Sequence, residues 1–219
     1  MKKAFTIIEL IFVLVVGAIL TTVAISKLNP RSNDLDLAAD QLMTHLRYTQ
    51  HLAVMDDRYN SNKGTNVWYK TRWQVYFQGI TEKQEMQYTV FKDIFSGGNP
   101  NSIHEVARNP LDPNLLLACD LSGYPKEGTN PTAGLCLQNE YGIVDIKLDK
   151  FNPSSGNPPT RIAFDELGRP IIGSQNSQNS AYQKIRQLSA RAKITLVHSS
   201  GESASICIEP ETGYIHRCD

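Results

Sequence analysis

Residues 5–25 read FTIIELIFVLVVGAILTTVAI, an apolar run of 21 residues with a single charge, Glu9. At roughly 1.5 Å per residue a helix of that length spans about 31 Å, close to the roughly 30 Å hydrocarbon core of a bilayer. Only Lys2 and Lys3 charge the segment ahead of it, so the positive-inside bias predicts a cytoplasmic N-terminus and an extracytoplasmic remainder after Ile25. An ordinary secretory signal would need a cleavage site after the run, and Thr22-Val23-Ala24 is a poor small-x-small sequence. A plain single-pass anchor accounts for the length and the lysines. It leaves Glu9 unexplained, because a carboxylate at the bilayer centre costs about 2.5–3.5 kcal/mol, although one near the cytoplasmic end can partly snorkel.

The combination Lys2-Lys3-Ala4 followed by Phe5-Thr6-Ile7-Ile8-Glu9-Leu10 resembles the class III signal of type IV pilins and pseudopilins. The resemblance implies cleavage between Ala4 and Phe5 by a prepilin peptidase, N-methylation of Phe5, and retention of the apolar helix. Ala4 stands where that family usually has Gly. Cleavage creates an ammonium at Phe5. A buried ammonium and a buried carboxylate are each costly alone and compensate when paired. Glu9, four residues along, reaches its own terminus or that of a neighbouring helix, and the second arrangement sets register as a buried polar residue does in a coiled coil.

Beyond the run, Asn29-Pro30 predicts a break, since the residue before proline avoids the α region and proline lacks a donor. Ser32-Asn33-Asp34 is a restart signal. Leu35, Ala38, Ala39, Leu42, Leu46, Thr49 and Ala53 then recur at helical spacing, an amphipathic helix ending near Met55 or Arg58. From Val67 to Phe77 the period becomes 2, a half-buried strand, with Met86 to Phe91 as its hairpin partner. Residues 95–140 are punctuated by Gly97-Gly98-Asn99-Pro100, Asn109-Pro110, Asp112-Pro113 and Gly134, and read as irregular. Strands resume at 142–148, 161–164, 170–172, 193–197 and 204–208, and residues 209–215 form a closing hairpin; Ser174 to Ser180, SQNSQNS, reads as a polar loop without chemistry.

The predicted organisation is a leader over 1–4, a transmembrane and assembly helix over 5–28, an amphipathic helix over 32–58, and a β-rich periplasmic domain over 59–219 with an irregular insertion at about 95–140. The fold class is α+β: a long N-terminal helix, transmembrane half plus amphipathic half, packed on an antiparallel sheet domain. The resemblance makes this pilin-like. It narrows through Arg47-Tyr48-Thr49-Gln50-His51-Leu52-Ala53, the strand at Trp73, Phe164-Asp165-Glu166-Leu167-Gly168-Arg169-Pro170, Ile194-Thr195-Leu196 and the segment from Ile208 to Ile215, which look like the minor pseudopilin H and FimT-like group. It implies a filament subunit of a type II secretion or type IV pilus machine. The location it implies is the bacterial inner membrane, single-pass with a periplasmic C-terminal domain, and then the pilus or pseudopilus. Its partners would be prepilin peptidase, other pilins, an inner-membrane assembly platform, and membrane lipid before assembly.

Cys119, Cys136, Cys207 and Cys218 all fall in the extracytoplasmic part, where disulfides are the default. Four cysteines allow three pairings. Sequence-local pairing, Cys119 with Cys136 and Cys207 with Cys218, is favoured over the alternatives and over a four-thiolate zinc site. If Pro210 opposes Gly213, Cys207 and Cys218 sit diagonally and need a bulge or a frayed strand end.

The chain has 219 residues with 22 Lys+Arg against 22 Asp+Glu, which argues against coating nucleic acid by bulk charge. His45, His51, His104, His198 and His216 make no HExxH pair, and no GxSxG or glycine-rich phosphate loop occurs. Asp56-Asp57 and Glu209 with Glu211 lack EF-hand spacing. These residues predict no enzyme, no cofactor and no metal. Between Glu166 and Glu202 no acidic residue occurs, while Arg169, Lys184, Arg186, Arg191 and Lys193 are basic. Such a stretch offers phosphate contacts, so DNA, which FimT-like minor pilins take up in transformation, is the alternative partner. Lys184, Arg186, Arg191 and Lys193 are the candidate contacts.

Overall fold

A computed structural model describes residues 7–27, 30–56, 68–80, 85–95, 97–120, 130–151 and 160–218. Helix α1 spans Ile7–Lys27 and α2 spans Pro30–Met55. A 3-10 turn at Trp68–Thr71 precedes β1 (Trp73–Gln78) and β2 (Gln87–Lys92). Then follow β3 (Leu115–Leu116), β4 (Asn130–Pro131), α3 (Leu137–Tyr141), β5 (Ile143–Asp149), β6 (Arg161–Phe164), β7 (Pro170–Ile172), β8 (Ala192–His198), β9 (Ser203–Ile208) and β10 (Ile215–Arg217).

The strands form two four-stranded antiparallel sheets, ordered β2-β1-β6-β7 and β10-β9-β8-β5, and one small parallel pair, β3-β4. α2 lies across both large sheets, against β1 and β6 of one and β8, β9 and β10 of the other. Leu35, Ala38, Ala39, Leu42, Leu46, Thr49 and Ala53 are all buried beneath it. All but Thr49 join Val75, Phe77, Phe164, Ile194, Leu196 and Ile206 in one apolar core shared by the two sheets. Each sheet alone would expose its inner face, so the single helix stripe and the two sheets close the core together.

Two expectations are corrected here. The α+β, pilin-like fold with one long N-terminal helix, transmembrane half plus amphipathic half, packed on a sheet does not form. The described residues hold three helices and are otherwise mainly antiparallel sheet, and only α2 carries a stripe that the sheets bury, the side chains of α1 from Ile7 to Thr21 all being exposed. The inner-membrane, single-pass location is also overturned. Among the described residues no helix is long and apolar enough to cross a membrane. Within α1 the stretch free of charge runs from Leu10 to Ser26, about 26 Å at ~1.5 Å per residue, the short end of what spans a hydrocarbon core of roughly 30 Å.

Two local readings also change. Residues 68–71, read as strand, form the 3-10 turn, and the ladder begins only at Trp73, while Val67 lies outside the described residues. The SQNSQNS segment is not a bare polar loop. Gln175 and Gln178 are buried and joined side chain to side chain at 2.7 Å, and Arg72 donates to the Gln178 Oε1 at 3.2 Å and to the Ala181 carbonyl at 2.7 Å.

Candidate functional site

The residues singled out from the sequence fall into three places. At the N-terminus, Ala4 and Phe5 lie outside the described residues. Glu9 sits in the first turn of α1, where a carboxylate complements the positive end of the helix dipole. The apolar side chains that follow are exposed: Ile8 is 75% exposed, Phe12 70% and Leu20 63%. A continuous apolar helix surface of this kind marks a site for association.

The four cysteines form two bonds, Cys119–Cys136 and Cys207–Cys218, with Cα atoms 4.8 and 5.1 Å apart. The first ties the segment after β3 to the turn leading into α3. For the second, Cys207 stands opposite His216 in the β9–β10 ladder, one step diagonal from Cys218. β10 ends at Arg217, and beyond that end the Cys218 amide bonds to the Ser205 carbonyl at 3.0 Å. The frayed strand end lets the diagonal close.

The basic residues sit on two elements, Lys184 and Arg186 on a 3-10 turn and Arg191 and Lys193 at the start of β8. Arg191 is paired with Glu209 at 2.6 Å, which also accepts from the His216 ring at 3.0 Å. Those two hydrogen bonds, led by that from His216, hold the Glu209 carboxyl below the usual range. Arg186 donates to Ser177 Oγ at 3.0 Å. Lys184 is exposed on a short 3-10 turn, and Lys193 is exposed on β8 opposite Asp149. Asp56 is engaged by Lys92 at 2.7 Å, and Asp57 lies outside the described residues. Among the described residues no group of three His, Cys, Asp or Glu is placed to hold a metal ion. No family model, curated protein or solved structure matches this chain at a significant level.

The structure also builds arrangements that sequence reasoning missed. Along one edge of α2, Arg217 reaches Asp36 and Asp40 at 3.2 and 3.0 Å, Arg47 donates to the Ile215 carbonyl at 2.7 Å, and Gln50 Nε2 lies at 2.8 Å from the Gly168 carbonyl and 3.2 Å from those of Thr212 and Gly213. The spacing 36, 40, 47, 50 follows a single helical face. It straps the closing hairpin to the helix. Gly213, at φ 64°, is required at this junction, since a Cβ there would collide with the Gly168 carbonyl oxygen. The Thr212-Gly213 pair was the one sequence signal available for it.

A second arrangement is the buried pair His45 and Tyr88, joined at 2.7 Å between α2 and β2. Burial lowers the His45 pKa to about 4 and raises that of Tyr88. A third surrounds Arg72, which is fully buried with Trp68 and Tyr182 rings at 5.3 and 5.9 Å. The Tyr182 hydroxyl donates to Glu166, and Arg169 Nε pairs with buried Asp165 at 2.7 Å. In the sequence Arg72 is one more polar residue of an alternating run, and nothing local marks it as buried.

Proposed function

We propose that this chain is a filament-forming subunit of the pilin and pseudopilin class, assembled by a type II secretion or type IV pilus machine. One observation carries the reading: the motif Lys2-Lys3-Ala4-Phe5-Thr6-Ile7-Ile8-Glu9-Leu10 runs directly into α1, a helix whose apolar side chains are exposed. A prepilin peptidase hydrolyses the Ala4–Phe5 peptide bond, water adding its oxygen to the Ala4 carboxylate and its protons to the Phe5 amine, and the new amine then displaces a methyl group from a sulfonium donor, releasing the thioether and a proton. Glu9 then pairs with the terminal ammonium of a neighbouring subunit as α1 helices bundle. Each buried charge offsets the other, which fixes the stagger between subunits. The two-sheet body beyond α2 presents the outer surface. The action is mechanical.

Mass spectrometry of the chain isolated from its native cell tests this directly. The expected mass lacks residues 1–4 and carries one added methyl group on Phe5. A chain still bearing Met1, or lacking the whole apolar segment, overturns the reading. Glu9→Val is expected to leave the two-sheet body folded while removing the subunit from filaments.

A further inference from the structure

The edges of the two large sheets are treated unevenly. The outer edge of β2 is covered by a loop, with the Lys92 amide donating to the Glu105 carbonyl at 2.8 Å and the Val90 amide to that of Leu117 at 2.9 Å. β7 is bridged to Gln187, and the three-residue β10 is held by Arg47 and Arg217 against α2. β5 is different. It is seven residues long, it pairs with β8 on one side, and among the described residues no strand or loop bonds to its other side.

The phase of the ladder shows which groups that edge offers. The Ser199 amide donates to the Gly142 carbonyl at 2.9 Å, so β8 residues 197, 195 and 193 turn their backbone groups toward β5. Their partners are Asp145, Lys147 and Asp149. In an antiparallel strand these groups alternate sides, so Ile146 and Leu148 direct their N–H and C=O groups outward. The side chains alternate as well. Asp145, Lys147 and Asp149 share one face in the order minus, plus, minus, and none has an ion partner within 4 Å among the described residues.

We propose that β5 is a self-association edge, extended by antiparallel addition of β5 from a second copy of this chain with Ile146 opposite Ile146. In that register the outward backbone groups of the two Ile146 residues bond reciprocally. Asp145 of each copy lies opposite Lys147 of the other, at the close, non-hydrogen-bonded positions where cross-strand charge pairs interact most strongly. Charges of one sign along an edge strand repel a second copy and prevent pairing. Alternating signs do the opposite when the incoming strand is an antiparallel copy of the same sequence, whereas a strand whose charges are all of one sign meets one of the two signs as a repulsion. The contact is isologous and closes on itself. It is therefore independent of the open, head-to-tail contacts of a filament.

Disulfide trapping in the full-length chain tests the register. The native cysteines of the described residues are all bonded, so an introduced thiol is the reactive one. Asp145→Cys and Lys147→Cys chains, mixed and oxidised, are expected to form a cross-linked dimer that neither forms alone. Cross-linking only between Lys147→Cys and Asp149→Cys overturns the Ile146 register, and no cross-link in either mixture overturns the edge. Lys147→Glu is expected to weaken self-association roughly tenfold or more in sedimentation, two attractive cross-strand pairs becoming repulsive. The triple change Asp145→Lys, Lys147→Asp, Asp149→Lys is expected to restore it among its own copies. Association through exposed α1 would respond to neither change, so unaltered sedimentation of Lys147→Glu sinks the proposal. Hydrogen exchange gives a third reading: the Ile146 and Leu148 amides are expected to be protected only at high protein concentration, and protection at every dilution would show the edge already covered.

Discussion

α1 and α2 are consecutive helices of 21 and 26 residues with opposite fates. α1 is the more apolar by far, and its described side chains are exposed. α2 is near neutral in hydropathy, and its stripe from Leu35 to Ala53 is the lid of the core. The difference lies in patterning. A helix apolar on every side has no polar face to turn to water and is satisfied only by surrounding it, which this chain's own two sheets do not do. A helix with one narrow stripe is satisfied by a single surface, and the joint of the two sheets supplies it. The described side chains of α1 are therefore left open by this chain, whereas the stripe of α2 is covered by its own body.

The sharpest way to break this contrast is to truncate the same residue type in both helices. Leu42→Ala in α2 removes a fully buried side chain, with an expected loss of about 2–5 kcal/mol in urea unfolding followed by circular dichroism. Leu14→Ala in α1, 64% exposed, is expected to leave that unfolding free energy within about 0.5 kcal/mol. Equal losses would refute the division of labour.

The next effect is pH-dependent and belongs to α2 alone. Folded His45 has its pKa lowered to about 4 by burial, against 6.5 for the free side chain. Between those values the unfolded chain binds a proton that the folded chain refuses, so stability falls as pH drops from about 6.5 and levels off below about 4. The full loss is about 3 kcal/mol. Urea midpoints measured from pH 7 to pH 4 are expected to show this slope in the native chain and to flatten in His45→Phe.

Gln50→Ala is a smaller perturbation. It removes the amide that faces three carbonyls at the junction of α2 with the two turns, and an expected loss of about 1–2 kcal/mol reflects the unmet acceptors. Faster hydrogen exchange at Gly168 and Gly213, with α3 unaffected, would localise the effect. Smallest of all is Arg217→Ala. Its partners Asp36 and Asp40 are 70% and 60% exposed, and exposed pairs contribute about 0.2–1 kcal/mol. A calorimetric shift well beyond that would mean the hairpin strap is far stronger than its surface charges suggest.

Much of the local structure was legible because it rests on short-range signals. The seven-residue stripe of α2 is set by helical period. The β1–β2 hairpin pairs Trp73 with Lys92 through Gln78 with Gln87, as alternation on either side of a short connection implies. The disulfides join the cysteines closest in sequence. Misreadings arose where a local pattern had a second use: residues 68–71 alternate like a strand yet curl into a 3-10 turn that sets Trp68 against Arg72. The length of the apolar run likewise suggested a span, although Glu9 shortens its uncharged part.

Periodicity, chain-breaking residues and cysteine spacing determined where this chain is helical, where it pairs with its near neighbour, and which segment carries an apolar surface without a polar face, since these depend on atoms a few residues apart. Only the tertiary structure decided that β5 joins β8 rather than β6, that Arg72 is buried while Arg191 is exposed, and that Gln50 meets three carbonyls from two distant turns. Those outcomes depend on how two sheets close over one helix, and that closure brings together groups more than a hundred residues apart for which no local period exists.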